Sequence, residues 1–285
     1  MSTETAHHTA MTLADHLPAL QVLIPFLAGP LIVLIGGRRL AWPAAVLASA
    51  ASFVVAAMLL SRVIDGSVIS YHMGGWAPPL GIEYRVDAAN AFVLLLVSAM
   101  STLVLLYARE SVNAEVSARH HTLFYTAFLL CLSGLLGVAV TGDAFNVFVF
   151  LEISSLATYV LIAQGSERDK RALTASYDYL IMGTIGATFF VIGIGFLYMA
   201  TGTLNMADLA KHLKTELPSY AVPLFVRLRP EIAVTATMKH QKVKLRQEGM
   251  ELDKVADPLY ILEGGTYVPL TADRYAKITT PGARL

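Results

Sequence analysis

Six stretches of this 285-residue chain are apolar for long enough to cross a bilayer, and that constrains the fold more than any other feature. The hydrocarbon core is about 30 Å thick, so a spanning helix needs about 20 mostly apolar residues. Residues 17–37, 41–60, 86–107, 123–140, 144–163 and 179–199 meet that length, allowing for tilt. Lipid offers no partner to backbone N–H and C=O groups, so these stretches must satisfy their own as helices. Only 15% of the chain is charged, against about 25% in a soluble domain. The expected fold is an all-α polytopic membrane protein of six transmembrane helices, followed by a small α+β C-terminal tail.

The balance of charge changes along the chain. Nine Lys and Arg precede residue 211 and twelve stand from Lys211 onward, together the 21 of the whole, so the membrane-like part ends near there. From 211 to 285 no apolar run is long enough to span. The tail reads as a short helix at 207–217, a strand at 224–228 ended by Pro230, a second strand at 232–238, and a basic helix at 239–249 stopped by Gly249. So few large apolar groups give it a marginal core of its own. Its basic residues are balanced by acids and lack a clustered aromatic platform, so nucleic-acid binding has no support.

Loop charges set an orientation. Arg38, Arg39, Arg109, Arg119, Arg168, Lys170 and Arg171 follow the odd-numbered stretches, whereas the other loops hold only Arg62 and Arg85. Positive residues concentrate on the cytoplasmic side, so the N-terminus and the tail are expected outside. No basic segment opens the chain, so no cleaved signal peptide is expected. Cys131 is the only cysteine. An intrachain disulfide and a cysteine metal cluster are therefore excluded, and it reads as a small buried hydrophobe. No metal or cofactor is expected.

The connections carry local signals. Thr141-Gly142-Asp143 is a tight turn, and Gly74-Gly75-Trp76-Ala77-Pro78-Pro79 breaks any helix in the second loop. Trp76 and Tyr84 suit an interfacial position. Asp87 and Asp143 stand where a helix N-cap belongs, although Asp87 has Arg85 as an alternative partner. Asp178 near Arg171 reads as solvated, and His120 and His121 as interfacial. Gly183, Gly186, Gly193 and Gly195 would let the sixth helix pack closely on more than one side.

The fifth stretch carries the chemistry. Glu152 lies near the middle of an apolar run, where a charge costs about 2.5–3.5 kcal/mol on insertion scales. Glu152, Ser155 and Tyr159 stand at i, i+3 and i+7 and share one helix face, expected to turn to protein or water, with a Phe, Val and Leu face toward lipid. Two readings of Glu152 stand: a structural carboxylate hydrogen-bonded between helices, or a proton-carrying group. A carboxylate whose cation partner can move is a switchable proton site.

Residues 15–210 resemble the D subunit of Mrp-type sodium/proton antiporters, which groups with antiporter-like subunits of respiratory complex I and membrane-bound hydrogenases. The likeness is carried by Gly74-Gly75-Trp76, by Gly81-Ile82-Glu83-Tyr84-Arg85-Val86-Asp87, by the run from Phe145 to Ser155, and by Thr201-Gly202-Thr203-Leu204-Asn205. The resemblance implies that Glu152 is the proton-pathway glutamate. It also implies a bacterial plasma (inner) membrane location with the N-terminus outside, H+ and Na+ as transported ions, and other antiporter subunits as partners. In that family a lysine on a seventh helix pairs with the glutamate, and six spans leave no place for it here. The expectation is thus a truncated subunit.

The tail resembles the C-terminal end of fatty acid transport protein-type acyl-CoA synthetases. Leu217 to Arg227, Thr235-Ala236-Thr237-Met238-Lys239-His240-Gln241-Lys242 and Asp257-Pro258-Leu259-Tyr260 carry it. The resemblance implies that Lys239 is the lysine that reaches into the active site during adenylation; read from the residues alone, it belongs to a solvated basic face. The nucleotide-binding part is missing, so no catalysis is expected. The expected organisation is an antiporter-like membrane domain at 1–206 joined to an acyl-CoA synthetase-like fragment at 207–285, with a gene fusion, a truncation or an assembly join equally able to give it.

Overall fold

The computed structural model describes residues 13–35, 37–216, 224–227, 249, 255, 257–263 and 266–279. The chain divides into two compact units, Met1–Lys211 and His212–Leu285.

The first unit holds the six expected helices: α1 (Leu17–Ile35), α2 (Arg38–Val63), α3 (Ala88–Glu115), α4 (His121–Val140), α5 (Ala144–Ala163) and α6 (Arg171–Thr201). Each is long and apolar enough to cross a membrane. Pro25, Pro30 and Pro43 lie inside α1 and α2, as membrane helices tolerate when neighbours supply hydrogen bonds. Two helices outrun their apolar stretches. α3 continues through Arg109, Glu110 and Glu115, and α6 begins eight residues early, because nothing in either extension breaks a helix. Asp178 is therefore an exposed residue inside α6, while Arg171 pairs with Asp169 at 2.7 Å.

Helices α1 to α4 pack around one core, α5 lies on α4, and α6 lies on α5. Leu59, Leu94, Leu105, Leu129, Leu132 and Leu136 are fully buried in that core. Lipid tails are as apolar as leucine, so close packing and interhelical hydrogen bonds do much of the joining. Ser49 Oγ meets Thr102 Oγ1 at 2.9 Å, Trp42 Nε1 donates to the Leu105 carbonyl at 2.8 Å, and Ser133 Oγ donates to that of Val22 at 3.1 Å.

The glycines that permit close approach are in α4, not α6. A Cβ on Gly134 would sit 2.6 Å from the Ser154 backbone nitrogen, and one on Gly137 would run into the Phe150 ring. In α6 only Gly183 meets a neighbour, the Tyr159 hydroxyl, whereas Gly186, Gly193 and Gly195 face open space. Ile194 is the one buried residue of α6 among those described. Among the described residues of this unit, α6 packs on α5, and Ile194 joins an apolar cluster with Ala144 and with Leu209 of the following helix.

The second loop is a β-hairpin, which the sequence did not disclose. β1 (Ile69–His72) pairs antiparallel with β2 (Glu83–Val86), Ile69 opposite Val86 and His72 opposite Glu83. After α6, Gly202 ends the helix at φ +70°, and α7 (Met206–Glu216) follows where a short helix was expected.

In the second unit, β3 (Phe225–Arg227), β4 (Leu259–Glu263) and β5 (Thr266–Pro269) form an antiparallel sheet in the order β3-β4-β5, followed by α8 (Ala272–Thr279). Val255, Leu259, Ile261 and Leu270 make a small core, and Arg227 pairs with Asp257 at 2.5 Å. The strand expected at 224–228 is β3. The strand expected at 232–238 and the helix expected at 239–249, apart from Gly249, lie outside the described residues.

The two kinds of glycine give a test. Gly134→Ala drives a methyl group into the backbone of α5 and should cost about 1–3 kcal/mol, as overpacking does. Gly186→Ala enters open space and should be neutral or stabilising by at most about 1 kcal/mol. Thermal unfolding in detergent distinguishes the two.

Candidate functional site

Glu152 sits at the middle of α5, half-buried, on the side away from α4. The α4-facing side is Phe150, Ser154 and Ala157, all buried. The apolar face expected to meet lipid thus contains the helix–helix contact, because the α4 glycines open a groove that accepts the Phe150 ring. Glu152, Ser155 and Tyr159 share the other face, as the i, i+3, i+7 spacing required. At its far end Tyr159 is buried against α6, its ring edge-on to Tyr179 with centroids 5.2 Å apart and its hydroxyl over Gly183. Glu152 itself has no hydrogen-bond or ion-pair partner among the described residues. Cys131 is a free, partly buried thiol 3.4 Å from Thr158 Oγ1.

The start of α5 is held by a polar knot around a carboxylate that no expectation from sequence singled out. Glu83, only 4% exposed, accepts from Ser70 Oγ at 2.5 Å on Oε1 and from Asn205 Nδ2 at 2.7 Å on Oε2. Arg85 stands 3.9 Å from Oε1 with its own side chain half in solvent, so it adds little. Asn205 also caps α7, its Oδ1 accepting from the backbone of Ala207 and Asp208 at 3.0 and 3.2 Å. Main-chain bonds complete the knot: Gly142 N–H to the Glu83 carbonyl, Ala144 N–H to that of Leu204, and Met206 N–H to that of Gly142, each 2.8 Å. Ser70, Glu83, the turn at 142–144 and the segment 204–206, distant in sequence, therefore converge at the hairpin end of the bundle. No local pattern in Glu83-Tyr84-Arg85-Val86 signals the burial of Glu83: alternation would place it with exposed Arg85, and its partners come from distant segments.

Both expected caps are present. Asp87 and Asn90 form a reciprocal capping box at the start of α3, so Asp87 does not pair with Arg85. Asp143 accepts from the Asn146 backbone at 2.8 Å at the start of α5. Burial raises the Asp143 carboxyl above its ordinary value, against the backbone donors of Asn146 and Phe145. Tyr84 is buried with its ring against Phe150 at 6.3 Å, and burial raises its hydroxyl while the Asn146 side chain opposes. Trp76 is exposed. At the other end Arg119 bonds Glu167, with His120 3.8 Å from the same carboxylate. His121 is buried on the Val116 carbonyl at 2.9 Å. Lys239 lies outside the described residues.

Six spans, a hairpin tied across two helix turns, and a carboxylate on the middle of a spanning helix define a polytopic membrane protein. A family model described as "NADH:quinone oxidoreductase/Mrp antiporter, TM" matches residues 141–245, past the expected boundary at 206/207. The N subunit of the NADH-quinone oxidoreductase of Desulforudis audaxviator is 42% identical over 219 residues, 73% of this chain and 42% of that protein. The D subunit of the Na(+)/H(+) antiporter of Bacillus subtilis is 34% identical over 192 residues, 67% of this chain and 38% of that protein. Among solved structures, the Mrp complex from Dietzia sp. DQ12-45-1b contains a chain that superposes with a TM-score of 0.63 at 29% identity, covering 70% of this chain and 36% of that one. The archaeal membrane-bound sulfane sulfur reductase gives 0.61 at 34%, covering 70% and 39%. The membrane part of this chain belongs to the family of antiporter-like subunits that Mrp antiporters and complex I share. The chain spans about two fifths of the length of these two curated relatives.

Asp143 yields a pH signature. Its pKa is raised on folding, so the folded state holds the proton longer than the unfolded chain does, and stability falls as pH rises from the ordinary aspartate value through the raised one. Asp143→Asn keeps a capping side chain. It should flatten that part of a stability-against-pH profile measured by thermal unfolding; an unchanged profile contradicts the assignment.

Proposed function

We propose that this chain is a cation/proton antiporter-like membrane subunit in which Glu152 binds and releases the transported proton. The observation that carries this reading is a carboxylate at the middle of a spanning helix, half-buried and without a partner among the described residues. A carboxylate that only tied helices together would have donors around it from those helices. Ionisable residues within spanning segments mark ion and proton paths.

The relatives support the wider setting. Two are named as the N subunit of an NADH-quinone oxidoreductase and the D subunit of a Na(+)/H(+) antiporter, and the solved neighbours are parts of multi-subunit membrane complexes. By that likeness the proposed partners are other subunits of such a complex, and the proposed ions are H+ and Na+. The likeness favours a bacterial inner-membrane location, and the loop charges favour the hairpin end, the N-terminus and the tail outside. For residues 207–285, the acyl-CoA synthetase likeness is a proposal about origin resting on sequence motifs alone. It assigns Lys239 no reaction here.

Infrared pH titration of the purified chain in lipid, wild type against Glu152→Gln, tests the reading. The expected result is a carboxyl band that titrates in the wild type and is missing in the variant. Unfolding stability should shift by no more than about 0.5 kcal/mol, because the change keeps shape and breaks no bond. A titration identical in the two proteins contradicts it.

A further inference from the structure

The hairpin end of the bundle holds a cleft of about 450 Å³ whose lining includes Ser70 and His72 on β1 and Arg62 on α2. Both hairpin side chains reach solvent. Behind them lies the buried Glu83 carboxylate. His72 Nε2 is 3.2 Å from Ser70 Oγ, and Ser70 Oγ donates to Glu83 Oε1 at 2.5 Å. One hydroxyl therefore separates a solvent-facing imidazole from a carboxylate that is 4% exposed.

We propose that His72 and Ser70 form a proton relay that loads and unloads Glu83 from the cleft, making Glu83 a second proton-exchange site distinct from Glu152. The step balances as a single hop. An imidazolium Nε2–H passes its proton to Ser70 Oγ while the Ser70 O–H passes its own to Glu83 Oε1, and the reverse order empties the site. A hydroxyl both donates and accepts, so serine serves where alanine cannot. Glu83 Oε2 keeps Asn205 as its donor throughout, so the proton is taken up without opening the knot.

The surrounding elements carry the charges that bear on this site. His72 is on β1, Tyr84 and Arg85 are on β2, Asp143 is in the α4–α5 turn and Asp208 is on α7. Across the cleft, Asp15 and His16 precede α1 and Arg62 ends α2. Arg85 stands 3.9 Å from Oε1 with its side chain half in solvent. The relay gives the chain a defined point of proton exchange with the water at the hairpin end. It rests on the reading that this subunit handles protons.

Time-resolved infrared after a downward pH jump, on the purified chain in lipid, tests the relay. Glu83 is read as the carboxyl band that Glu83→Gln removes. In Ser70→Ala its appearance should slow by about 10²-fold, the low end of what a positioned proton donor contributes. Ser70→Thr should restore the rate, and Glu152→Gln should leave the Glu83 band untouched. Equal rates in wild type and Ser70→Ala, or no Glu83 band at any pH where the bundle stays folded, overturn the proposal. Should Ser70→Ala lose its cooperative thermal transition, His72→Ala alters an exposed side chain and carries the same two outcomes. Because Glu83 and Glu152 are read as separate bands, failure of the relay and failure of the Glu152 reading are distinguishable.

Discussion

A buried carboxylate is costly unless hydrogen bonds replace its hydration, and Glu83 has them on both oxygens from two different parts of the chain. Ser70 comes from the opposite strand of the hairpin and Asn205 from the turn after α6. Each such bond to a charged group contributes about 1.5–3 kcal/mol. The same Asn205 caps α7, and the Glu83 backbone carbonyl receives Gly142 of the α4–α5 turn. One side chain and its main chain thus fix three connections at one end of the bundle. α5 starts directly from that knot at Ala144, so Glu152 is held about 12–14 Å from it along the helix. The depth of the membrane carboxylate is set by hydrogen bonds made outside the spanning segments.

The opposite end is built differently. Arg119 with Glu167 and Arg171 with Asp169 are ion pairs there, with side chains partly to largely in solvent, and exposed pairs contribute little. Between the ends, α4 is the helix through which the rest is joined: α1, α2, α3 and α5 all pack on it. Gly134 and Gly137 bring α5 near enough for Phe150 to enter the groove. The other face of α5 carries Glu152 and, toward its far end, packs Tyr159 on α6. A glutamate can occupy it because the close packing has been made on the other side.

Much of the architecture was legible in the sequence. Bilayer thickness imposes a length that few soluble helices share, so six apolar runs identified six spans. Asp87 and Asp143 were readable as caps because each directly precedes a helix. The helix-five motif pointed to Glu152 and to the family, and the i, i+3, i+7 spacing placed Tyr159 on the same face. What was hidden depends on contacts between distant segments. Four-residue strands separated by a ten-residue connection leave no periodic trace, so β1, β2 and the burial of Glu83 and Tyr84 went unread. Glycine count favoured α6 as the closely packed helix, yet only the geometry shows that two glycines of α4 meet a neighbour's backbone and ring. Extensions of α3 and α6 past their apolar stretches were missed because hydropathy marks the membrane, not the end of the helix.

The claim on which this account turns is that Glu83 and Asn205 act as one unit holding the hairpin to the start of α7. A double-mutant cycle of Glu83→Ala and Asn205→Ala, read by unfolding of the purified chain in detergent, measures it directly. The account predicts a coupling of about 1.5–3 kcal/mol, the range for a hydrogen bond to a charged group. Effects that add to within about 0.3–0.5 kcal/mol, as those of independent sites do, would contradict it.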